Sequence, residues 1–483
     1  MKMRIIILQT IGYLLFSSLL LTGCDALEES PKNMVVENFY KTPEEVETAT
    51  NAIYHSLRAG ECMAVYEATL ECMSDCVYGR GSWAQIGEYS KLNDTNITRV
   101  GTIWKWFYLA IRNANLVIQR SPAGDPAIDV FVAEAHFLRA FSYFQIVRNW
   151  GGVPLRTDKN LGETDVPKST IDDVYKLIID DLSLAEGMLP EKQGLIGRPT
   201  KWAAKTLLAD VYLHLEKYGD ARAKAEEVMA SRQYLLVPVK TKEDFQNNVF
   251  GPALLTTSEE IFYLKYSNVV AGQSNYLLWI TNHASTGGFP FGGAYVLYMK
   301  SDTEAFRNWD EGDLRRQLWS HADFGLGDNT YVSAKFIDKG AISQNGGAND
   351  DPVYGYSDLL LIYAEALAME KGNATVEAME AVNQIRRRAY GYDPLVASEV
   401  DYKLADYASA DKFRDLVIKE RGYEFQLEGK RWLELKRTGK AQQVINAEKG
   451  YDVDEISFLW PFPVDEINYN TAIDPSRDQN PGY

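Results

Sequence analysis

The sequence predicts a mainly α-helical protein: a scaffold of helical hairpins, a loop-rich irregular face and a few short strands. Three observations lead there. Apolar residues recur every three to four positions over most of the chain, the period of an amphipathic helix. Two segments, LLADVYLHLEKYGDARAKAEEVMA from Leu207 and LLIYAEALAMEKGNATVEAMEAVNQIR from Leu360, each run a helix into a tight turn and then into an alanine-rich helix. Between them the period changes, and residues 268–356 are rich in Gly, aromatic residues and Asn/Asp.

The N-terminus comes first. Lys2 and Arg4 precede an apolar run from Ile5 to Leu21, about 17 residues and so at the lower limit for a bilayer span. A short basic start, an apolar run and small residues after it are the layout of an export signal. Leu21-Thr22-Gly23-Cys24 resembles a bacterial lipobox, in which the Cys thiol is acylated and becomes the new N-terminus. Several acyl chains on Cys24 would hold a protein stably where one alone is marginal. The acidic segment Asp25 to Pro31 then reads as a tether, and acid residues in that place resemble the surface-export signals of Bacteroidetes lipoproteins.

The helices follow. Thr42-Pro43-Glu44-Glu45 is a capping box with proline at the first helical position, leading into Val46, Ala49, Ile53 and Leu57. Trp104–Ile118, Ala133–Val147 and Thr170–Leu189 are further amphipathic runs. Thr200 caps another that continues to about Tyr218, and Asp220–Ala230 comes almost at once. The two alanine-rich hairpins look like tetratricopeptide units, in which small residues let paired helices approach closely. Glu260 to Tyr266 reads as a strand. Loops as long as 268–356 are usually functional in a compact protein. The organisation expected is a signal peptide at 1–23, a lipidated tether at 24–37, an N-terminal helical part at 38–257 and a C-terminal part at 258–483, the last two forming one globular unit.

The composition, 46% hydrophobic and 24% charged, is that of a globular protein. No second stretch is apolar enough to span a membrane, so the lipid is the expected membrane contact. A formal charge of −17 argues against nucleic acid, which demands a basic surface, and fits neutral ligands. Beyond Cys24 the cysteines are Cys62, Cys72 and Cys76, for which one disulfide or three buried thiols is the reading. Their C-x9-C-x3-C spacing, even with His55, matches no standard zinc site. The acidic turns Asn349-Asp350-Asp351 and Asp310-Glu311-Gly312-Asp313 do not follow the EF-hand pattern. They are read as solvated turns, structural calcium is not indicated, and no cofactor is expected.

AEAHFLRAFSYFQIVRNWGGVPL from Ala133 closely resembles the signature of the SusD/RagB family of Bacteroidetes outer-membrane lipoproteins. So do LLLIYAEAL from Leu359, NQIRRRAY from Asn383, ERGYEFQLEGKRWLELKR from Glu420, WPFPVDEINYN from Trp460 and DQNPGY from Asp478. One departure is Pro461-Phe462-Pro463 where the family has PIP. Read physically, Ala133, Ala135, Phe137, Leu138, Phe141 and Phe144 form a wide buried stripe, and Trp150-Gly151-Gly152 stops the helix. Glu420, Arg421, Glu424, Glu428 and Arg431 sit at spacings of three and four, and are expected to pair and lock two helices together. The resemblance implies a helical scaffold on the cell surface, acting as a lid over a SusC-like TonB-dependent outer-membrane transporter. Most family members bind oligosaccharides or polysaccharides, some handle peptides, and they are not enzymes.

A neutral sugar offers C–H faces to aromatic rings and a rim of hydroxyls to Asn, Gln, Asp and Arg. Two loop stretches suit it. CVYGRGSWAQIGEY from Cys76 carries Tyr78, Arg80, Trp83 and Gln85. SNYLLWITNHASTGGFPFGGAYVLY from Ser274 carries Asn275, Tyr276, Trp279, Asn282, Phe289, Phe291 and Tyr295. Trp83, Trp279, Tyr78, Tyr276, Phe289, Tyr295, Arg80 and Asn275 are the candidate ligand contacts. Trp104, Trp106, Trp150, Trp202, Trp432 and Trp460 lie on helical signatures and are assigned to the core, while Trp309 and Trp319 are left unassigned.

No GxSxG, HExxH, P-loop or GxGxxG occurs. His136 and His214 fall within helices and read as structural. Glycoside hydrolysis would need two carboxylates set by the fold, so a cryptic glycosidase is the third reading. The first is a surface glycan-binding lipoprotein serving an importer. The second is a transporter lid that handles peptides or has little ligand affinity of its own.

Overall fold

The computed structural model describes residues 39–269, 297–323, 325–341 and 346–483. Cys24 and its tether lie outside these residues, as does most of the second aromatic stretch. The described chain opens with α1 (Pro43–Arg58), held at its start by the expected capping box between Thr42 and Glu45. Then come α2 (Met63–Cys72), the two-residue strand β1 (Tyr78–Gly79), α3 (Asp94–Arg120), α4 (Pro126–Trp150), α5 (Ile171–Met188), α6 (Lys201–His214) and α7 (Tyr218–Ala230). The strand expected at Glu260–Tyr266 is β2 (Glu260–Leu264). After it come β3 (Leu297–Lys300), β4 (Trp319–His321), β5 (Thr330–Ser333) and β6 (Asp351–Gly355). The C-terminal part adds α8 (Tyr356–Lys371), α9 (Val376–Ala389), α10 (Ala410–Glu424), α11 (Arg431–Arg437), α12 (Ala441–Lys449) and α13 (Val464–Tyr469).

Consecutive helices pack side by side from α3 to α7, and α8 packs on both α9 and α10. The two expected hairpins, α6–α7 and α8–α9, meet through α7 against α8, which joins the halves. Alanines make this close approach: Ala221 and Ala225 on α7 and Ala364, Ala366 and Ala368 on α8 are all fully buried. One hydrophobic core runs from Tyr40 to Ile473 and draws on both parts. No helix among the described residues is long and apolar enough to cross a membrane.

The described residues of 268–356 hold more regular structure than the composition suggests. They hold most of a four-stranded antiparallel sheet, in the order β1-β3-β5-β4, and β6, which pairs with β2. Trp309 and Trp319, unassigned from sequence, are buried, and Trp309 stacks on Tyr423 at 4.6 Å.

The charged residues of the C-terminal signature pair differently from expectation. Arg421 finds a partner inside the signature, Glu434, and so does Glu428, in Lys430. Glu420 and Glu424 are held by Arg315 at 2.8 and 3.0 Å, Glu424 also by Arg388, and Glu428 by Lys335 and Lys430. Arg431 reaches Asp75 at 2.7 Å. The network therefore ties α10 and α11 to each other through Arg421–Glu434 and also to Asp75 after α2, to α9 and to the residues beside the sheet. The acidic turns are corrected with it. Asp313 is 1% exposed and accepts from Arg315 and from the Trp309 indole, while Asp350 pairs with Lys265 and Asp351 is buried. Asp313 and Asp350 thus meet internal cations, whereas Asp310 and Glu311 are exposed and solvated as expected. His136 and His214 sit in similar internal pairs, with Asp181 at 2.6 Å and Asp210 at 3.2 Å.

Candidate functional site

The first aromatic stretch leaves α2 through a tight turn. Ser74 Oγ donates to Glu71 O at 2.7 Å and accepts from Val77 N at 3.2 Å, which aims the chain into β1. Gly79 is required there. A Cβ on it would stand 2.8 Å from Cys72 Sγ and from Trp83 Cβ, closer than any side chain permits. β1 then pairs antiparallel with β3, Tyr78 opposite Tyr298 and Gly79 opposite Leu297. Leu297 is where the described chain resumes after residue 269. The two stretches chosen from sequence, about 200 residues apart, therefore share one strand pair. Asn275, Tyr276, Trp279, Phe289 and Tyr295 lie outside the described residues.

Tyr78 is half-buried. Its ring stacks on Tyr298 at 5.6 Å, and the ammonium groups of Lys300 and Lys449 each sit 4.6 Å from its centroid. Burial, with Asp302 and Tyr298 nearby, pushes its hydroxyl well above the usual phenol range. Lys449 is half-buried beneath, donating to Val77 O at 2.7 Å, and desolvation brings it down to about 8. Tyr298, Ala322 and Val332 form a small apolar cluster with Tyr78 against it.

Trp83 is packed inward, only 6% exposed. The Arg99 guanidinium lies 3.8 Å over its ring and is itself held by Ser82 Oγ at 3.1 Å and by the Asn96 side chain. A ligand reaches this ring face only where Arg99 gives way. Arg80 is half-buried beside it. Gln85 is scaffold: its amide donates to Lys91 O and accepts from Asn93 N and Asn96 Nδ2.

On the other face of β3, Met299 lines a cavity of about 390 Å³ with the Trp309–Tyr423 stack, Asp75, Glu448 and Lys419. Tyr298, Lys300, Lys449 and Arg99 were not singled out from sequence. Tyr298 ends the second stretch and was within reach of the same aromatic criterion. Lys449 was not, because it arrives from 372 residues away. Cys62, Cys72 and Cys76 are buried thiols without a disulfide. Among the described residues no three His, Cys, Asp or Glu side chains are gathered around a metal position.

A family model described as starch-binding, associating with outer membrane, matches residues 25–213, and the SusD family model matches residues 299–483. SusD-like protein P2 of Formosa agariphila is 27% identical over 513 residues, covering 96% of this chain and 98% of that protein. A SusD homologue from Bacteroides thetaiotaomicron superposes with a TM-score of 0.78 at 23% identity, covering 93% of this chain and 98% of that one. A laminarin-binding SusD-like protein has a TM-score of 0.71 at 22% identity, covering 92% of this chain and all of the other. Two SusD family models, matching residues 25–213 and 299–483 of one helical scaffold, leave one assignment: the chain belongs to the SusD/RagB family of outer-membrane-associated glycan-binding proteins, which are not catalysts.

Proposed function

We propose that the protein is a cell-surface lipoprotein, anchored through Cys24, that captures an oligo- or polysaccharide and delivers it to a partner SusC-like TonB-dependent transporter. The observation that carries this reading is the meeting of the two aromatic loop stretches at the β1–β3 pair. Tyr78 lies on β1 with Arg80 and Trp83 following it, and β3 begins at the end of the second stretch, whose Asn275, Tyr276, Trp279, Phe289 and Tyr295 lie outside the described residues. Rings for sugar faces beside Arg and Asn for hydroxyls suit a neutral glycan, as does the formal charge of −17. The laminarin-binding relative supports the ligand class.

The lid reading, with little ligand affinity of its own or with peptides as cargo, draws on one observation. Trp83 is covered by Arg99, and Tyr78 is crowded by Tyr298 and two lysines, so both described rings offer little open face.

Affinity electrophoresis separates the two. The full-length protein in detergent is run through gels containing neutral and acidic polysaccharides, beside a Tyr78→Ala/Trp279→Ala variant. Retardation by a neutral glycan, lost in the variant, is the expected result. No retardation by any polysaccharide would leave the lid reading standing, to be followed by identifying the cargo of the intact transporter complex.

A further inference from the structure

A second groove lies on the other side of α3. Ile97, Thr98, Gly101, Lys105 and Tyr108 recur at spacings of one helical turn and form one wall. At 100° per residue, Asn96 and Arg99, which hold the Trp83 corner, point the opposite way. The width of a helix, about 10 Å, therefore separates this groove from the candidate site. The opposing wall is the Pro463–Asn470 segment with α13, and the loop carrying Arg156 and Glu163 closes one end. The volume is about 720 Å³, within the ~300–1,000 Å³ range of small-ligand sites.

Its construction is firm. Gly101 faces Pro463 across the groove with room for one carbon between them, since a Cβ there would meet Pro463 Cβ at an ordinary 3.6 Å. Trp104 forms the floor, wedged between Tyr108 at 4.6 Å and Phe462 at 5.1 Å. Arg156 donates to Glu466 Oε1 at 3.0 Å and to the carbonyls of Glu163 and Thr164. Asn470 donates to the same Glu466 oxygen at 2.7 Å and to Val166 O. Against this fixed frame, Tyr469 stands 78% exposed at the lip. An aromatic ring that open, beside a groove rather than in it, has lost burial and gained a flat accessible face.

The rim decides the ligand. Lys105 and Asp465 are exposed, Thr98 and Thr102 add hydroxyls, and Glu163 and Glu466 bring the acids to three against two cations. The Lys105 ammonium as donor, with carboxylate and threonine oxygens as acceptors around an aromatic platform, matches a ring bearing many hydroxyls. The slight negative excess disfavours sulfated or uronate units. We propose that this groove is a second saccharide subsite, taking a neutral pyranose unit of the same polymer held at the β1–β3 site. The proposal rests on the glycan-binding reading above. Two subsites on opposite sides of α3 would engage a long chain together and a short oligosaccharide only singly, so the groove adds avidity for polymer.

The test uses the full-length protein in detergent and gels containing laminarin, starch, xylan or galactomannan. Tyr469→Ala removes the platform, Thr102→Arg fills the groove, and Tyr78→Ala/Trp279→Ala marks the β1–β3 site. Both groove substitutions are at the surface, and circular dichroism checks the fold. The expected result is about a tenfold or greater loss of apparent affinity for the retarding polymer in either groove variant, with binding of a trisaccharide of the same glycan unchanged. Wild-type retardation of both groove variants on every retarding polymer overturns the subsite and leaves the glycan reading intact. Retardation of the wild type by none of the polymers overturns both.

Discussion

Tyr78 and Tyr298 stack across the β1–β3 pair, ring centroids 5.6 Å apart and planes 25° from parallel. β1 has two residues, too few for its ladder hydrogen bonds to hold it in place. The ring pair supplies the missing packing, and Lys300 and Lys449 over the Tyr78 face add to it. The contact that positions the candidate site is thus also the contact that holds the sheet edge.

Tyr78→Ala is therefore expected to cost about 1–3 kcal/mol in urea unfolding, from the ring pair and the two cation–π contacts. Tyr298→Phe keeps the ring and should stay within ~0.5 kcal/mol of wild type. Equal stability of Tyr78→Ala and wild type would show that the edge is held by other means.

Arg388 bridges two buried carboxylates. It is fully buried and bonds Glu259 on one side and Glu424 on the other. Arg388→Met keeps the volume, strands Glu259 and leaves Glu424 to Arg315 alone, at a cost of about 3–5 kcal/mol. Adding Glu259→Gln should recover part of the loss, because one stranded charge is removed. A double variant less stable than the single one would contradict this pairing.

These contacts mark where the sequence was legible. Periodicity and capping boxes placed the helices because each signal lies within one element. The alanine-rich hairpins were legible because small residues at one spacing have few other uses. The charged signature at Glu420–Arg437 misled because helical spacing suggested partners one turn away, while burial selected Arg315, Arg388, Lys335 and Asp75 from distant elements. Arg139 is a similar case. In sequence it interrupts an apolar stripe, and only the fold shows it forked onto Asp181 with Asn115 and Asp158 completing its bonds. At the candidate site the aromatic stretches could be chosen by composition. What covers Trp83 and Tyr78 could not, since Arg99 and Lys449 carry no local mark.

Cys24→Ala tests the anchor. Without the thiol there is nothing to acylate, and the protein is expected to leave the membrane fraction. Cell fractionation with protease accessibility on intact cells reads this directly. A variant still membrane-bound and surface-exposed would remove the lipid from the account.

Glu71 gives the pH prediction. It is fully buried on α2, its Oε1 accepting from Gly429 N at 2.8 Å. Desolvation pushes its pKa up to about 7, against the pull of that hydrogen bond and of Lys335. The unfolded chain loses this proton near the ordinary value of about 4.5, whereas the native chain keeps it until about 7. Between those limits the native state binds more protons, so stability falls as pH rises and the whole penalty is present above about 7. Glu71→Gln keeps the acceptor oxygen and removes the ionisation. The variant should match wild type at pH 4 and exceed it by about 3 kcal/mol at pH 8. Asp351, raised by burial to about 6, acts in the same direction, and Glu424, held down to about 2 by Arg388 and Arg315 despite its burial, acts oppositely below pH 4.5. Both are common to the two proteins and cancel in the difference. A stability difference that does not change between pH 4 and pH 8 would mean that Glu71 ionises in the folded protein as it does in the unfolded chain.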